Sequence, residues 1–232
     1  MRLSIVLPCF NEEQNIEGTI ADLCSWGVRE GITMEVVAVD DGSVDGTWNV
    51  LQRLSREMPI LKLVRHERNL GYGSAVRSGC DAATMDYVGF MDSDGQFHAE
   101  DWSKLLPFLS EFSFVTGRRF HRADPLIRKV NAKLFGMLTF LVLGIWVRDI
   151  NCAMKVWHRE LWPSLRPVHA TGALINAEMF YRLHCLGIPW KTVPVSHYPR
   201  LRGMQTGANI HVILRMFRDL LSLRRAGFTQ QR

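Results

Sequence analysis

Short apolar runs alternate with helical patterns along the first half of the chain. Apolar residues at helical spacing predict helices, and short continuous apolar or β-branched runs predict buried strands. The predicted strands cover residues 3–9, 34–40, 60–64, 87–91 and 112–116. The predicted helices between them cover residues 13–26, 46–56, 74–83 and 102–109. This alternation indicates an α/β fold with a single, mostly parallel sheet that is flanked by helices.

The pattern changes in the second half of the chain. Residues 124–147 predict one or two helices that are amphipathic first and then apolar all round. Strands are predicted at 152–157 and 192–197, and helices at 172–186 and 208–225. Gly187 is a C-terminal stop for the first of these two helices. Because no repeat or long linker interrupts the chain, we predict one domain over residues 1–225 and a tail over 226–232.

The composition agrees with this interpretation and indicates the cellular compartment. The 232 residues are 47% hydrophobic and 22% charged, which is ordinary for a globular protein with a full core. Five cysteines at scattered spacings, with no CxxC, argue against a disulfide framework and a zinc site. They fit a reducing, cytoplasmic compartment. The start of the chain has no small-residue cleavage site, so no signal peptide is expected.

The charge is positive and concentrated near the end of the chain. The net charge is +5, and arginines crowd the last residues at Arg215, Arg218, Arg224, Arg225 and Arg232. A basic end indicates an anionic partner, such as a phosphate-bearing ligand or a lipid surface. Nucleic acid is not expected, because no DNA- or RNA-binding motif accompanies the charge. The longest uncharged apolar stretch, residues 134–147, is shorter than the roughly 20 residues of a spanning helix.

Acidic residues follow two of the predicted strands. Asp40 and Asp41 end the second strand, and Asp92 and Asp94 end the fourth. A DSDG sequence alone is more often a turn, but parallel strands bring their carboxyl ends to one rim, where α/β folds bind ligands. Carboxylates at two strand ends therefore favour a functional site. Asp92, Asp94 and Gln96 offer the oxygen ligands that Mg²⁺ or Mn²⁺ prefers, and such a metal is often shared with substrate phosphates.

Other motifs add phosphate binding and exclude some enzyme classes. Arg118, Arg119, Arg200 and Arg202 follow strands, and arginine forks bind phosphate oxygens, although solvated surface arginines are the common alternative. The glycine-rich residues 69–79 lack the Walker and dinucleotide patterns, so their glycines are interpreted as turn and packing positions. No GxSxG or HExxH is present, which argues against a serine hydrolase or a zinc protease.

Five segments together resemble a known family. LPCFNEEQNI, VVAVDDGSVDGTW, GFMDSDGQ, GRRF and DINCAMKVW, in this order, resemble glycosyltransferase family 2. The likeness is greatest to the dolichol-phosphate mannose synthase group and its bacterial polyprenyl-phosphate relatives, and extends from Leu3 to about Arg225. It implies a GT-A fold and an inverting transfer of a sugar from a GDP- or UDP-linked donor. Residues 1–123 would form the nucleotide-sugar half, and residues 124–225 the acceptor and membrane-interface half.

The resemblance also implies roles for individual residues. The nucleotide-sugar contacts would be Pro8, Phe10, Glu12, Val39, Asp41, Asp92, Ser93, Asp94, Arg119 and Arg200. A metal would be held by Asp92, Asp94 and Gln96, and the catalytic residues would be Asp94, Arg119 and Arg200. On the acceptor side, Asp149 and Lys155 match a later family segment, and we add Glu178 and Arg202.

The acceptor predicted from the resemblance is a polyprenyl or dolichyl phosphate. Its phosphate is already an anion, so attack on the anomeric carbon needs no general base. A saccharide, lipid or protein hydroxyl is the alternative and would need a base, for which Asp149 and Glu178 are candidates. Another alternative is a catalytically silent nucleotide-sugar-binding subunit. A nucleotidyltransferase is disfavoured, because the loop after the first strand is acidic and glycine-free.

A lipid acceptor would require the protein to reach a membrane surface. We expect a peripheral protein on the cytoplasmic face, with residues 126–147 and 208–225 as interfacial, amphipathic helices. A membrane-anchoring subunit is a further partner to consider.

Overall fold

The computed structural model describes residues 1–120, 126–170, 172, 174–200, 220–221 and 223–225. Within these ranges, seven strands form one sheet in the order β3-β2-β1-β4-β6-β5-β7. The strands are β1 (Arg2–Cys9), β2 (Thr33–Asp40), β3 (Leu61–Arg65), β4 (Tyr87–Phe90), β5 (Phe114–Phe120), β6 (Lys155–His158) and β7 (Lys191–Ser196). β6 runs antiparallel to both of its neighbours, and the other pairings are parallel.

Helices cover the sheet. The α-helices in the described ranges are α1 (Ile16–Arg29), α2 (Thr47–Glu57), α3 (Tyr72–Ala82), α4 (Trp102–Leu105), α5 (Leu126–Leu143), α6 (Trp162–Leu165) and α7 (Ile175–Cys185). All residues of β1 and β2 after the first are buried, as expected for strands that are covered on both faces. In α1, Ile16, Ile20 and Leu23 recur at helical spacing and are fully buried.

The α/β fold with a mostly parallel sheet is confirmed, with local differences. β5 extends to Phe120, so Arg118 and Arg119 belong to the strand rather than following it. β6 begins at Lys155 rather than at residue 152. The predicted helix 102–109 is a single α-turn continued by a 3₁₀ segment, Leu106–Ser110, near whose start Pro107 lacks a backbone donor. Most of the predicted helix 208–225 lies outside the described residues; 220–221 and 223–225 are helical.

Two glycines of residues 69–79 explain how α3 reaches the sheet. A Cβ at Gly79 would lie 2.2 Å from Val6 Cγ1 and 2.9 Å from Val39 Cγ2, so only glycine permits this close approach. Gly71 precedes α3 with φ +96°, a conformation that other residues rarely adopt. The interpretation of these two glycines as packing and turn positions is confirmed.

A buried carboxylate joins the strands at the end of the sheet opposite the acidic rim. Glu35 of β2 accepts hydrogen bonds from the Ser4 hydroxyl (2.6 Å) and from the backbone and hydroxyl of Thr84, and pairs with Lys62 at 2.5 Å. Burial alone would raise its pKa, but these donors outweigh burial and lower the pKa to about 2. Glu35 therefore connects β1, β2, β3 and the segment before β4.

Candidate active site

The loops after β1 and β2 interlock at the carboxyl end of the sheet. The Asn11 backbone N–H donates to Ser43 Oγ (3.0 Å), and Asn11 Oδ1 accepts from the Val44 N–H (2.9 Å). The Glu12 N–H donates to Thr47 Oγ1 at 2.8 Å. Asn11 has φ +57°, which asparagine tolerates better than most residues. These bonds fix the rim where Pro8, Phe10 and Glu12 were predicted to contact a nucleotide.

The predicted acidic pair follows β4 on the same rim. Asp92 Oδ1 accepts from the Tyr72 hydroxyl at 2.9 Å. Asp94 Oδ1 accepts from the Gln96 N–H at 3.1 Å, and Asp94 Oδ2 lies 3.4 Å from Arg200. Between the two aspartates, the buried Ser93 donates through Oγ to the Pro8 carbonyl at 2.8 Å. Ser93 thus ties the acidic turn to β1, while both carboxylates remain partly exposed.

The two carboxylates destabilise each other's charge. Burial, followed by the negative charge of Asp94, raises the pKa of Asp92 to about 7. The Tyr72 hydrogen bond and the positive charges of Arg119 and Lys155 oppose this rise. A cation placed between the aspartates would therefore be strongly stabilised.

A hard divalent cation suits this pair. The donors are carboxylate oxygens, which match the preference of Mg²⁺ and Mn²⁺. No group of three or more His, Cys, Asp or Glu side chains among the described residues is arranged to hold a metal. Gln96 is buried, and its amide nitrogen donates to the Tyr198 carbonyl at 3.0 Å, so this contact ties the acidic turn to the end of β7. Its role as a metal ligand stays a prediction.

Arg200 joins the acidic turn to the first loop. Its guanidinium contacts Glu12 Oε1 at 2.7 Å and Asp94 Oδ2 at 3.4 Å, and its side chain is only 13% exposed. Burial raises the pKa of Glu12, while Asn15 and Arg200 oppose that rise through hydrogen bonds and charge. A cationic fork is thus held next to Asp94, and its phosphate binding stays a prediction.

Arg119 is oriented by Asp149. The guanidinium donates through Nε (2.8 Å) and a terminal nitrogen (2.6 Å) to the two carboxylate oxygens, and the Arg119 backbone N–H donates to Oδ2 at 2.9 Å. The side chains are 12% and 7% exposed. Such a bidentate pair fixes both the position and the plane of the arginine.

Three predicted nucleotide contacts have different surroundings. The Phe10 side chain is 41% exposed at the rim, where its ring is available for stacking. Val39 is fully buried in β2, opposite Pro8. Asp41 accepts from the backbone N–H groups of Leu70 and Gly71, each at 2.9 Å, and contacts His66 Nδ1 at 2.6 Å. Asp41 thus holds the backbone at the start of α3, and its ribose contact stays a prediction.

The predicted acceptor-side residues are largely buried. Lys155 is fully buried between the Phe90 and Phe180 rings and donates to the carbonyls of Ile150 and Cys152. Burial lowers the pKa of Lys155 to about 8. 

Glu178 is buried and accepts several internal hydrogen bonds. It accepts from the N–H groups of Val168 (2.8 Å) and Ala170 (2.9 Å) and from Arg182 (3.0 Å). Arg202 lies outside the described residues. The acceptor-side roles of these residues stay predictions.

Sequence reasoning missed Tyr72 and His66 as parts of this site. Residues 69–79 were considered for their glycines only, although Tyr72 stands at the start of the helix that follows β3. The position of Tyr72 could have indicated its role, because β3 ends at the same rim as the strands that carry the aspartates. His66 had no ligand spacing, and only the fold brings it to Asp41.

Comparisons with known proteins show what this chain is similar to. The chain is 30% identical to the dodecaprenyl-phosphate galacturonate synthase of Rhizobium johnstonii, covering 96% of this chain and 65% of that protein. It is 32% identical to the dolichol-phosphate mannosyltransferase of Pyrococcus furiosus, covering 65% of this chain and 44% of that protein. The chain therefore spans less than two thirds of the length of each of these relatives.

A solved structure supports the fold. Glucosyl-3-phosphoglycerate synthase from Mycobacterium tuberculosis, in complex with Mn²⁺, UDP and glucosyl-3-phosphoglycerate, superposes with a TM-score of 0.71 at 22% identity. The match covers 98% of this chain and 81% of that one, which confirms the GT-A fold. The model of the family described as glycosyl transferase family 2 matches residues 4–180. With the acidic rim and the fold in agreement, this chain belongs to glycosyltransferase family 2.

Proposed function

We propose that this chain moves a sugar from a nucleoside diphosphate to a polyprenyl phosphate, with inversion at the anomeric carbon. The observation that carries the proposal is the Asp92–Asp94 pair at the carboxyl end of the sheet, where Arg200 contacts Asp94. Two neighbouring carboxylates are suited to bind a divalent metal that is shared with a diphosphate. Arginine side chains are suited to bind the phosphate groups of the donor and the acceptor. Family membership and the names of the two relatives support the same reaction class.

Different residues of the rim bind different parts of the donor. Phe10 stacks on the base, and Pro8, Glu12, Val39, Asp41 and Ser93 line the nucleoside side. Asp92 and Asp94, with Gln96, would hold Mg²⁺ or Mn²⁺. When bound, this ion neutralises the charge that develops on the leaving diphosphate. Arg119 and Arg200 screen the repulsion between the diphosphate and an incoming phosphate, and orient both for in-line attack.

The transfer itself needs few further groups. An oxygen of the acceptor phosphate forms a bond to the anomeric carbon, while the bond from that carbon to the diphosphate breaks and the nucleoside diphosphate departs. A hydroxyl acceptor would need a base, but both candidates already accept internal hydrogen bonds: Asp149 from Arg119, and Glu178 from backbone N–H groups and Arg182. Because these hydrogen bonds already occupy both carboxylates, an acceptor that is already ionised is favoured.

A lipid acceptor places the reaction at a membrane surface. No helix in the described part of the chain combines the length and apolarity needed to cross a bilayer. The helix α5 exposes a stripe of apolar side chains at Val130, Leu134, Met137, Phe140 and Leu141, and Trp146 follows it. This stripe and the basic end of the chain support peripheral binding to the cytoplasmic face of a membrane, directly or with an anchoring subunit.

An acceptor panel tests the proposed function. Purified protein is incubated with GDP- and UDP-sugars and Mg²⁺ or Mn²⁺, with a polyprenyl phosphate, with 3-phosphoglycerate, or with neither. We expect product only with the polyprenyl phosphate, and none in EDTA. A product formed only on 3-phosphoglycerate or another hydroxyl would contradict the lipid acceptor.

Tight donor binding without turnover on any acceptor would instead indicate a silent binding subunit. The variant Asp94→Asn serves as the control for a contaminating enzyme. It should lose activity by orders of magnitude while its unfolding midpoint stays close to that of the unchanged protein, because Asp94 is a rim residue.

A further inference from the structure

Tyr72, at the start of α3, contacts the acidic pair from a separate element. It is the first residue of α3, its ring packs against the core, and its hydroxyl donates to Asp92 Oδ1 at 2.9 Å. Tyr72 therefore acts as a hydrogen-bond donor to the carboxylate.

The backbone before Tyr72 is held by a second carboxylate. Asp41 accepts from the N–H groups of Leu70 (Oδ1) and Gly71 (Oδ2), each at 2.9 Å. On the other side, His66 bridges Asp41 (2.6 Å) and Ser78 Oγ (2.9 Å), the latter one turn and a half into α3. With φ +96° at Gly71, these contacts set where the helix begins and hence where the Tyr72 ring points.

We propose that Tyr72 is a positioning residue for the metal site, which orients the Asp92 carboxylate and is itself fixed by the Asp41 clamp on residues 70–71. Carboxylates that bind metals are themselves commonly hydrogen-bonded, and loss of such a partner typically weakens metal binding or activity about 10- to 100-fold. Because the Tyr72 hydroxyl binds only Oδ1 of Asp92, Oδ2 can bind the ion. The inference rests on the proposed function, because it takes Asp92 as a metal ligand.

In the same arrangement, Asp41 supports the metal site indirectly. Its two carboxylate oxygens bind the turn before α3, so the second strand supports the metal site without a side chain at the metal itself. The residues after β4 thus supply the metal ligands directly, and the residue after β2 supports them through the start of α3.

The test is Mn²⁺ binding by the Tyr72→Phe variant, measured without turnover. Free Mn²⁺ is followed by electron paramagnetic resonance as protein is titrated in the presence of UDP or GDP. We expect the Mn²⁺ affinity of Tyr72→Phe to fall about tenfold or more. The control is Tyr87→Phe, which removes a hydroxyl at the other end of β4, where the ring contacts His158. It should bind Mn²⁺ as the unchanged protein does.

A second readout separates positioning from a general loss of stability. The rise of the unfolding midpoint on adding Mn²⁺ with UDP or GDP is compared with the midpoint in EDTA for each protein. A structural role alone would lower both midpoints equally, whereas we expect the metal-dependent rise to shrink in Tyr72→Phe only.

The outcomes distinguish this inference from the proposed function. Equal Mn²⁺ affinity and equal midpoint rise in Tyr72→Phe and the unchanged protein would overturn the positioning role and leave the proposed function standing. Failure of the unchanged protein to bind Mn²⁺ with either nucleotide would overturn both.

Discussion

At the residue scale, two ion pairs of the same form have very different surroundings. Arg119 and Asp149 make a bidentate pair whose side chains are 12% and 7% exposed. Arg166 and Asp81 also make a bidentate pair, at 2.8 and 2.7 Å, but their side chains are 42% and 38% exposed. Water screens the second pair, so its contribution to stability is small. The first pair holds a proposed phosphate ligand in a largely buried place, where a lost partner is costly.

We therefore predict different results for the same substitution in these two pairs. Asp149→Asn should reduce kcat/KM about 10- to 100-fold, because Arg119 keeps its charge but loses its fixed plane. It should also lower the free energy of unfolding by about 3 kcal/mol, because a largely buried guanidinium loses its bidentate ion pair with this carboxylate. Steady-state transfer assays and urea unfolding measure the two effects.

Asp81→Asn is the matched control for that substitution. It should change the free energy of unfolding by about 1 kcal/mol or less and leave kcat/KM unchanged. Equal losses of activity in the two variants would contradict a positioning role of Asp149.

At the element scale, one buried carboxylate connects three strands and the segment before a fourth. Glu35 on β2 binds Ser4 on β1, Lys62 on β3 and Thr84 before β4. The β1–β2 and β2–β3 pairings that carry Pro8, Val39 and Asp40 to the rim begin next to this carboxylate. Its effect is on the stability of the sheet, since it lies at the opposite end from the acidic pair.

Glu35→Gln should lower the free energy of unfolding at pH 7 by about 2–3 kcal/mol. Because the folded pKa is about 2 and the ordinary value is 4.5, the stabilisation is present above pH 4.5 and lost as the pH falls toward 2. Urea unfolding at several pH values should show a smaller acid loss for the variant than for the unchanged protein.

Glu17→Gln is the control, because Glu17 pairs with Arg53 at 2.7 Å but is 56% exposed. It should change the free energy of unfolding little. An acid loss for Glu35→Gln as large as that of the unchanged protein would contradict the assignment of this stability to Glu35.

At the scale of the whole molecule, one surface combines apolar and basic side chains. Leu141 and Trp146 are 64% and 60% exposed near the end of α5, and Arg224 donates to the Val142 carbonyl beside them. Arg225 is exposed as well. Interfacial helices bind bilayers through this combination of apolar area and positive charge.

We expect flotation with vesicles that contain anionic lipid, and weaker flotation at high salt. The double variant Leu141→Gln, Trp146→Gln should weaken binding at least about tenfold, because two large side chains no longer enter the interface. Replacing Arg215, Arg218, Arg224 and Arg225 with glutamine should remove the dependence on lipid charge and salt.

Val28→Gln provides the control for the apolar variant, because Val28 on α1 is 84% exposed and far along the chain from α5. It should float like the unchanged protein. Flotation that is indifferent to lipid charge, salt and all these substitutions would contradict docking by this surface, and no flotation at all would point to a separate anchoring partner.

The sequence by itself determined the elements and the rim. Strands β1, β2 and β4 were predictable because their apolar runs are local, and the placement of Asp92 and Asp94 on the rim follows from the rule that parallel strands end together. The family followed from short motifs in a fixed order, and the family match confirms it. Both kinds of inference need only neighbouring residues and their spacing.

The tertiary structure alone decided which partner each polar side chain meets. Arg200 contacts Glu12 from a position 188 residues away, Tyr72 contacts Asp92 from the first residue of α3, and Asp41 binds the backbone just before α3. Lys155 likewise lies in the core, paired with Phe90 of β4, although nothing in its local pattern marks it as buried. Hydrogen bonds and burial depend on atoms brought together by packing, and packing is a property of the whole chain rather than of any local pattern.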